Sequence, residues 1–387
     1  MAGCEFLFKT LNQNLENKMN YTFNPTPRIL MGPGPSNAHP RVLKAMATPL
    51  IGHLDPEFIY LMDEVKSMVQ ETFITKNHLT FVVSAPGSAG METCLVNLLE
   101  PGDECIICVN GVFGSRMVDI AERCGAKVFK IDTEWGTITE PAALKKMLEQ
   151  CPKPKLVALV HAETSTGVLQ PLEEISDIVH NAGSLLVVDA VTSYCGVPLK
   201  VDEWKIDAIY TGSQKCLSAP PGLSPVSFSD AALEVLNKRK TKVQSWFLDL
   251  SLVKNYWEGA KRAYHHTAPV SSIFALYESL NLVLEEGLEK RWARHNEVHQ
   301  YLKRKLENLG FLFLVEEKYR LPNLNTMFVP KGTDEAKLRS ELLNKYNIEV
   351  GGGLGVFAGK LWRIGIMGES CTKNHVNMLV GALEEMM

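Results

Sequence analysis

Short apolar runs alternate with amphipathic stretches along the chain from about residue 79. The runs LTFVVS, ECIICV, KLVALVHAE and SLLVVDAV are apolar for most of their length, as strands are when helices cover both faces of a sheet. The stretches between them have helical spacing, and glycines such as Gly125 and Gly183 end them. This repeated strand–helix pattern predicts a mostly parallel α/β sheet, whose ligands bind beyond the carboxyl ends of the strands.

The pattern changes after about residue 290. A long amphipathic helix is predicted for RWARHNEVHQYLKRKLENLG, and the short strands FLFLV, NTMFVP and KLWRIGIM follow it. Helices are also predicted around TDEAKLRSELLNKY and from about Thr372. Because 387 residues exceed what one hydrophobic core usually serves, we expect two domains. We place an N-terminal extension at 1–27, a large domain at 28–287 and a smaller α+β domain at 288–387.

The composition is that of an ordinary globular protein, with 45% hydrophobic and 22% charged residues. A net charge of −4 points to neither nucleic acid nor an anionic membrane as a partner, and no apolar run is long enough to span a bilayer. The nine cysteines are scattered, which favours a reducing compartment. We expect the cytoplasm, with the peroxisome and the mitochondrion as alternatives.

Two residue pairs are candidates for a metal site. Cys105 and Cys108 form a CxxC, but they lie in an apolar run without a second pair, so core packing is favoured. His265 and His266 are adjacent, and adjacent residues of a strand point to opposite faces. We therefore expect no metal.

Two charged residues stand directly after apolar runs. Lys215 follows IDAIY in the segment TGSQKCLSAPPG. It could be a surface lysine in a loop, or a desolvated amine whose lowered pKa makes it a nucleophile. Asp189 ends the run SLLVV, where it could cap backbone N–H groups or hold a cation such as a protonated ring nitrogen.

Two further strand ends carry candidate cofactor contacts. The segment APGSAGME opens a helix whose free N–H groups and positive end suit a phosphate, although an ordinary tight turn would have the same sequence. Phe113, in the segment NGVFG, could stack on a planar ring. Together with Lys215 and Asp189, these features suit pyridoxal phosphate, which needs a lysine for its Schiff base and an acid that keeps its ring nitrogen protonated.

Longer motifs carry a resemblance to a known family. They are GPGPSN at 32–37, LVNLLEPGD at 95–103, NGVFGSR at 110–116, STGVLQPL at 165–172, GSQKCLSAPPG at 212–222, YHHT at 264–267, GGLG at 352–355 and RIGIMG at 363–368. The chain resembles the class V aminotransferases of fold-type I over nearly everything from Arg28 to its end. This resemblance implies a large domain with a mostly parallel seven-stranded sheet between helices, and a smaller α+β C-terminal domain.

The resemblance also implies roles for individual residues. Lys215 would form the Schiff base, Asp189 would hold the pyridine nitrogen, and Arg363 would bind the α-carboxylate of the substrate. The residues implied to contact the cofactor are Gly87, Ser88, Phe113, Thr164, Asp189, Gln214, Lys215, Tyr264 and Thr267. The sequence departs from the family pattern in the turn APGSAGME and at Phe113, where relatives have tryptophan.

The implied assembly is a homodimer with active sites at its interface. Tyr264 and Thr267 match residues that reach the cofactor phosphate of the neighbouring subunit. Asn37 and residues 51–57 are expected to line the entrance through which substrate reaches the site.

The implied activity is a ping-pong transamination from alanine or serine to glyoxylate or pyruvate, so the expected partners are small amino and oxo acids. Other class V activities are alternatives, namely ureidoglycine–glyoxylate or kynurenine-type transamination and cysteine desulfuration. For desulfuration Cys371 would be the nucleophile, but it lies at a predicted helix start rather than in a mobile loop. A binding protein that only keeps the fold is a further alternative, and the presence of Lys215, Asp189 and Arg363 argues against it.

Overall fold

The computed structural model describes residues 24–259 and 261–387, so most of the predicted N-terminal extension lies outside the described residues. The elements up to the carboxyl end of the fifth strand are β1 (Ile29–Leu30), α1 (Pro40–Met46), α2 (Pro56–Phe73), β2 (Leu79–Val83), α3 (Gly87–Leu98), β3 (Glu104–Val109), α4 (Val112–Arg123), β4 (Lys127–Asp132), α5 (Pro141–Gln150) and β5 (Leu156–Val160). Next come β6 (Ala162–Glu163), β7 (Val168–Leu169), α6 (Glu173–Asn181), β8 (Leu185–Asp189), β9 (Ala208–Tyr210), β10 (Ser224–Phe228), α7 (Asp230–Asn237), α8 (Leu250–Trp257) and α9 (Val270–Glu286). The remaining elements are α10 (Leu288–Asn308), β11 (Leu312–Phe313), β12 (Leu324–Phe328), α11 (Glu335–Tyr346), β13 (Ile348–Glu349), β14 (Gly351–Gly352), β15 (Leu361–Gly365) and α12 (Lys373–Met386).

Seven strands form the large sheet, in the order β2-β10-β9-β8-β5-β3-β4. Only β10 runs against its two neighbours, and the other strand pairs of this sheet are parallel. All residues of β2, β5, β8 and β10 are buried, which explains why β2, β5 and β8 are mostly apolar; β10 contains two buried serines, Ser224 and Ser227. The predicted fold class, a mostly parallel seven-stranded sheet between helices, is confirmed.

The C-terminal part contains a four-stranded antiparallel sheet, in the order β11-β12-β15-β14. Its apolar cluster includes Leu302 of α10, Trp362 of β15 and Leu379 of α12. Met31 packs into the same cluster, and β1 pairs with β13. The N-terminal arm is thus joined to the C-terminal sheet. The predicted domain boundary at 287/288 falls between α9 and α10 and stays a prediction.

The run KLVALVHAE, predicted as one strand, divides into two. β5 ends at Val160, and β6 then pairs with β7 in a separate two-stranded ribbon. His161 lies between them, and its backbone N–H donates to the carbonyl of Asp189 at 2.9 Å. The ribbon carries Glu163 and leads directly into Thr164 at the edge of the large sheet. The predicted strand FLFLV is also shorter in the structure, where it comprises Leu312–Phe313.

Helix α3 packs against the sheet without room for a side chain at Gly90. A Cβ built there would lie 2.1 Å from Ser224 Oγ and 2.9 Å from Tyr210 Cβ. At Gly381, in α12, no atom of the described residues lies within 4 Å of the corresponding position, apart from its chain neighbours and its own helix backbone. The two helical glycines therefore differ in packing, although both weaken helix propensity.

Substituting these two glycines tests that packing. Gly381→Ala should raise the free energy of unfolding by about 0.5–1 kcal/mol, because alanine favours the helix and nothing crowds it. Gly90→Ala should lower it by about 1–3 kcal/mol, because overpacking outweighs the gain in propensity. Chemical denaturation of both variants measures the difference, and a Gly90→Ala variant as stable as Gly381→Ala would contradict the close contact.

Candidate active site

A cavity opens at the carboxyl ends of β8 and β9 and at the amino ends of α3 and α4. This is the edge at which open α/β sheets bind ligands. The residues that line it are Pro86, Gly87, Ser88, Met91, Phe113, Arg116, Asp189, Val191, Tyr210, Gln214 and Lys215. Six of the sequence-predicted residues, Gly87, Ser88, Phe113, Asp189, Gln214 and Lys215, therefore meet around one cavity.

Lys215 lies in the turn after β9, and only 7% of it is exposed. Its Nζ donates a hydrogen bond to the carbonyl of Pro33. Gly34 lies so close that a Cβ there would be 2.7 Å from Nζ. Burial, and then the positive charge of Arg363, lower the pKa of Lys215 from 10.5 to about 8. The surface-lysine interpretation is therefore wrong, and a substantial fraction of this amine is neutral near pH 8.

Asp189 is the last residue of β8, and it is buried. Its carboxylate accepts hydrogen bonds from the Tyr210 hydroxyl at 2.7 Å and from the Val191 backbone N–H at 2.8 Å. Burial raises the pKa of Asp189 to about 6, so the group is mainly ionised at neutral pH. Sequence reasoning missed Tyr210, although the parallel pairing of SLLVVD with IDAIY places it opposite Asp189.

The amino end of α3 forms a narrow turn beside the loop that precedes Lys215. The first N–H groups of this helix, at Gly87 and Ser88, have no partner within the helix, and no side chain of the described residues caps it. A Cβ at Gly87 would lie 3.7 Å from the Cα of Gly212, and one at Gly212 would lie 2.7 Å from Gln214 Oε1. This oxygen is buried and has no hydrogen-bond partner among the described residues. The turn therefore offers polar groups to a ligand.

Arg116 is a cavity residue that sequence reasoning missed. It donates to Ser88 Oγ at 2.9 Å, and its guanidinium carbon lies 4.9 Å from the centre of the Phe113 ring. Its spacing from Phe113 could have identified it, because residues three apart on a helix lie on one face. Phe113 and Arg116 both lie near the amino end of α4. This helix therefore brings an aromatic ring and a cation to the same cavity.

Arg363, in β15, is buried beside the cavity rather than in its lining. Its guanidinium donates to the carbonyls of Gly352 at 2.8 Å and of Thr164 at 3.3 Å. Both acceptors are neutral, and burial lowers the pKa of Arg363 to about 10. Thr164 Oγ1 contacts Thr192 Oγ1 at 2.5 Å. The positive charge of Arg363 lowers the pKa of Lys215, so the two basic groups are electrostatically coupled.

Besides Thr164 and Arg363, three predicted site residues do not line the cavity of their own chain, namely Asn37, Tyr264 and Thr267. Asn37 accepts from the Leu30 N–H and from Ser370 Oγ, and its amide donates to the Arg28 carbonyl. Its side chain thus joins the N-terminal arm to the C-terminal part. Tyr264 is 63% exposed, and its hydroxyl lies 3.5 Å from Thr267 Oγ1.

The structure bears on two alternatives raised by the sequence, desulfuration by Cys371 and a metal site at His265 and His266. Cys371 is fully buried, and burial raises the pKa of its thiol to about 12, which disfavours the thiolate that desulfuration needs. His265 and His266 do not point apart as expected, because their segment is not a strand; the two Nδ1 atoms lie 2.8 Å apart. Within residues 24–259 and 261–387, no group of three or more histidine, cysteine, aspartate or glutamate residues is placed to hold a metal ion.

Comparison with known proteins decides the family. The family model described as aminotransferase class-V matches residues 30–368. The chain is a class V aminotransferase. This enzyme is 45% identical to alanine–glyoxylate aminotransferase of Oryctolagus cuniculus over 361 residues, covering 92% of each chain. It is 37% identical to (S)-ureidoglycine–glyoxylate transaminase of Bacillus subtilis over 375 residues, covering 92% of this chain and 90% of the relative.

A solved structure agrees with this assignment. The crystal structure of alanine–glyoxylate aminotransferase from Nostoc sp. superposes on the enzyme with a TM-score of 0.92 and 47% identity, covering 95% of this chain and 98% of the other. Class V aminotransferases depend on pyridoxal phosphate, and the enzyme therefore does so too.

The residues around the cavity fit this cofactor. The uncapped end of α3, Ser88 and Arg116 provide donors and positive charge for a phosphate. Asp189 provides an anion for a protonated ring nitrogen, and Phe113 provides an aromatic face. Lys215 provides a buried amine with a lowered pKa. The unpartnered Gln214 Oε1 adds a polar atom that nothing in the described chain satisfies.

The electrostatic coupling of the two cations can be measured in cofactor-free enzyme. Lys215 should react with trinitrobenzenesulfonate with a midpoint at about pH 8. Arg363→Gln should raise this midpoint, because it removes the positive charge that disfavours the ammonium form. Mass spectrometry of the Lys215 peptide across pH 6–11 gives the midpoints. Arg123→Gln, at an exposed residue of α4, is the control and should change nothing; equal midpoints in wild type and Arg363→Gln would contradict the coupling.

Proposed function

We propose that the enzyme transfers an amino group from alanine or serine to glyoxylate or pyruvate by a ping-pong reaction. The main support is one geometric observation: the buried Lys215 and the buried Asp189 line the same cavity, and the buried Arg363 lies beside it. The names of the relatives support the acceptor, since both the rabbit and the Bacillus proteins are named for glyoxylate.

Lys215 holds and moves the proton in this proposal. When bound, pyridoxal phosphate supplies a carbonyl carbon that takes the amine and a ring that withdraws electrons from the substrate's α-carbon. Nζ of Lys215 would accept the proton from the substrate's α-carbon and hold it until it is returned. A pKa of about 8 suits this role, because a base acts best when its pKa is close to the working pH.

Asp189 and Phe113 orient the ring. The Asp189 carboxylate is held by Tyr210 and the Val191 N–H, so its free lone pairs face the cavity in a fixed direction. It stabilises a proton on the ring nitrogen, which increases the withdrawal of electrons. Phe113, which lines the cavity, would offer its aromatic face to the ring and so limit the motion of the ring.

Arg363 selects the substrate. A guanidinium binds a carboxylate with two parallel hydrogen bonds, which fixes the orientation of the α-carbon as well as its distance. Its two structural bonds, to the carbonyls of Gly352 and Thr164, hold the group in place without neutralising its charge. Small amino and oxo acids all carry the carboxylate that this arginine recognises.

A second candidate differs only in the amino donor. Ureidoglycine–glyoxylate transamination is supported by the Bacillus subtilis relative and by its crystal structure, which superposes with a TM-score of 0.92 and 38% identity over 94% of each chain. The same three residues would carry that reaction.

A matrix of amino donors against glyoxylate and pyruvate tests the proposal. Alanine or serine with glyoxylate should give the highest kcat/KM, read by formation of the keto acid. Lys215→Ala should lower turnover by at least about 100-fold, because the proton-transfer group is lost. Lys205→Ala, at an exposed lysine on the surface, is the matched control and should retain activity.

The possible outcomes distinguish the candidates. A higher kcat/KM with ureidoglycine than with alanine and serine would favour the second donor. Release of sulfide from cysteine would support desulfuration instead. Absence of amine transfer from any donor would contradict the proposal as a whole.

We also propose that the enzyme is a homodimer in which Tyr264 and Thr267 complete the partner's site. Tyr264 is exposed beside His53, and neither Tyr264 nor Thr267 lines the cavity of its own chain. Exposed apolar side chains occur at Leu50 and Tyr60, next to a groove that includes Phe274. Apolar surface of this kind is typical of an interface between proteins.

Mixing two inactive variants tests this assembly. Lys215→Ala should be inactive, and a variant with Tyr264→Ala and Thr267→Ala should bind the cofactor poorly. If the three residues act across subunits, randomly mixed dimers should recover about a quarter of wild-type activity, because each hybrid has one intact site. Activity of the mixture after denaturation and refolding together measures this. No recovery above the sum of the separate variants would contradict a shared site.

The cytoplasm remains our proposal for the compartment. The eight cysteines within the described part of the chain are all buried and unpaired, which is typical of a reducing environment. None of the helices in the described ranges combines the length and the apolar character of a bilayer span.

A further inference from the structure

Glu163 is a buried carboxylate at the cavity edge that the proposed mechanism does not use. It ends β6, and none of it is exposed. An isolated carboxylate in such a place is costly, so its hydrogen bonds show what it stabilises. Burial raises the pKa of Glu163, and the hydrogen bonds from Ser165 and from the amino end of α4 act in the opposite direction.

These bonds lead to the amino end of α4. The N-cap residue of this helix is Gly111, which has no side chain with which to cap it. Instead, Glu163 Oε2 accepts from the Phe113 N–H at 3.2 Å. Ser165 Oγ accepts from the Val112 N–H at 3.0 Å and donates to Glu163 Oε1 at 2.6 Å. The helix is therefore capped by residues from a distant part of the sequence.

This arrangement explains why the N-cap residue, Gly111, is a glycine. A Cβ at Gly111 would lie 2.3 Å from Cδ of Glu163 and 2.4 Å from Ser165 Oγ. The carboxylate thus occupies the space in which a cap residue's own side chain would lie. It also places a negative charge at the positive end of the helix.

We propose that Glu163 is a positioning residue that fixes the Phe113 ring against the cofactor by holding the amino end of α4. Phe113 is the second residue of this helix, so the direction of its side chain depends on the first turn. The next residue, Thr164, accepts from Arg363, so one short segment holds both the aromatic ring and the carboxylate-binding arginine. This inference rests on the proposed function only for its kinetic readout.

The test uses visible circular dichroism of bound pyridoxal phosphate, which reports how the ring is held, together with its dissociation constant. Glu163→Gln should lower the ellipticity and raise the dissociation constant, because the amide sets an N–H group against the N–H donors. We expect kcat to fall by about 10- to 100-fold, as misplacement by about 1 Å can cost that much. Glu173→Gln, at an exposed acid in the first turn of α6, is the matched control and should match wild type.

A double-mutant cycle separates positioning from general stability. In the Phe113→Leu background, Glu163→Gln should change the ellipticity and the dissociation constant by much less than in wild type, because both act through the same ring. Equal effects in the two backgrounds, or a Glu163→Gln enzyme with unchanged ellipticity, would overturn the proposal. If Glu163→Gln does not fold, Ser165→Ala in both backgrounds replaces it, with the same expected non-additivity.

Failure of the proposed function is distinguishable in the same experiment. If wild-type enzyme binds the cofactor but transfers no amine from any donor, the proposed function fails while the spectroscopic cycle still decides the role of Glu163. If wild type is active and the cycle is additive, only the role of Glu163 fails.

Discussion

An amine kept out of water at the carboxyl edge of the sheet is the constraint on which the site depends. Lys215 is nearly buried, and its surroundings are built to tolerate the neutral amine. The carbonyl of Pro33 accepts its hydrogen bond, and Gly34 leaves room for its side chain. The arm that contains these residues is itself held by β15, since the Gly365 N–H donates to the Met31 carbonyl. The C-terminal sheet therefore helps to shield Lys215 from solvent.

Both basic and acidic side chains are buried around this amine. Lys215 and Arg363 are basic, Asp189 and Glu163 are acidic, and all four side chains are buried. Burial lowers the pKa of Lys215 and Arg363 and raises the pKa of Asp189 and Glu163. Opposite charges partly compensate at the first three groups, and hydrogen bonds do so at Glu163. Such a balance keeps the unbound site stable while each group retains lone pairs or protons for a ligand.

The sequence was sufficient for the strands, for the family and for the residues at the strand ends. Continuous apolar runs identify buried parallel strands, and the residue after each run falls at the ligand-binding edge. Contacts between segments that are distant in the sequence could not be predicted from this pattern. The break at His161, the capping of α4 by Glu163 and the bonds of Asn37 depend on tertiary hydrogen bonds, which leave no periodic pattern. Only the expected orientation of the His265 and His266 side chains was wrong, because their segment is not a strand.

The reversed strand β10 has a consequence for the order in which the protein is assembled during synthesis. Strand β2 pairs with β10 alone in the large sheet, with Leu79 opposite Phe228. On the ribosome, β2 and the helix after it must wait until most of the sheet has emerged before they gain a hydrogen-bonded neighbour. The turn at Gly87 and the lysine at 215 are thus brought together late, and β2 has no strand partner in this sheet until β10 arrives.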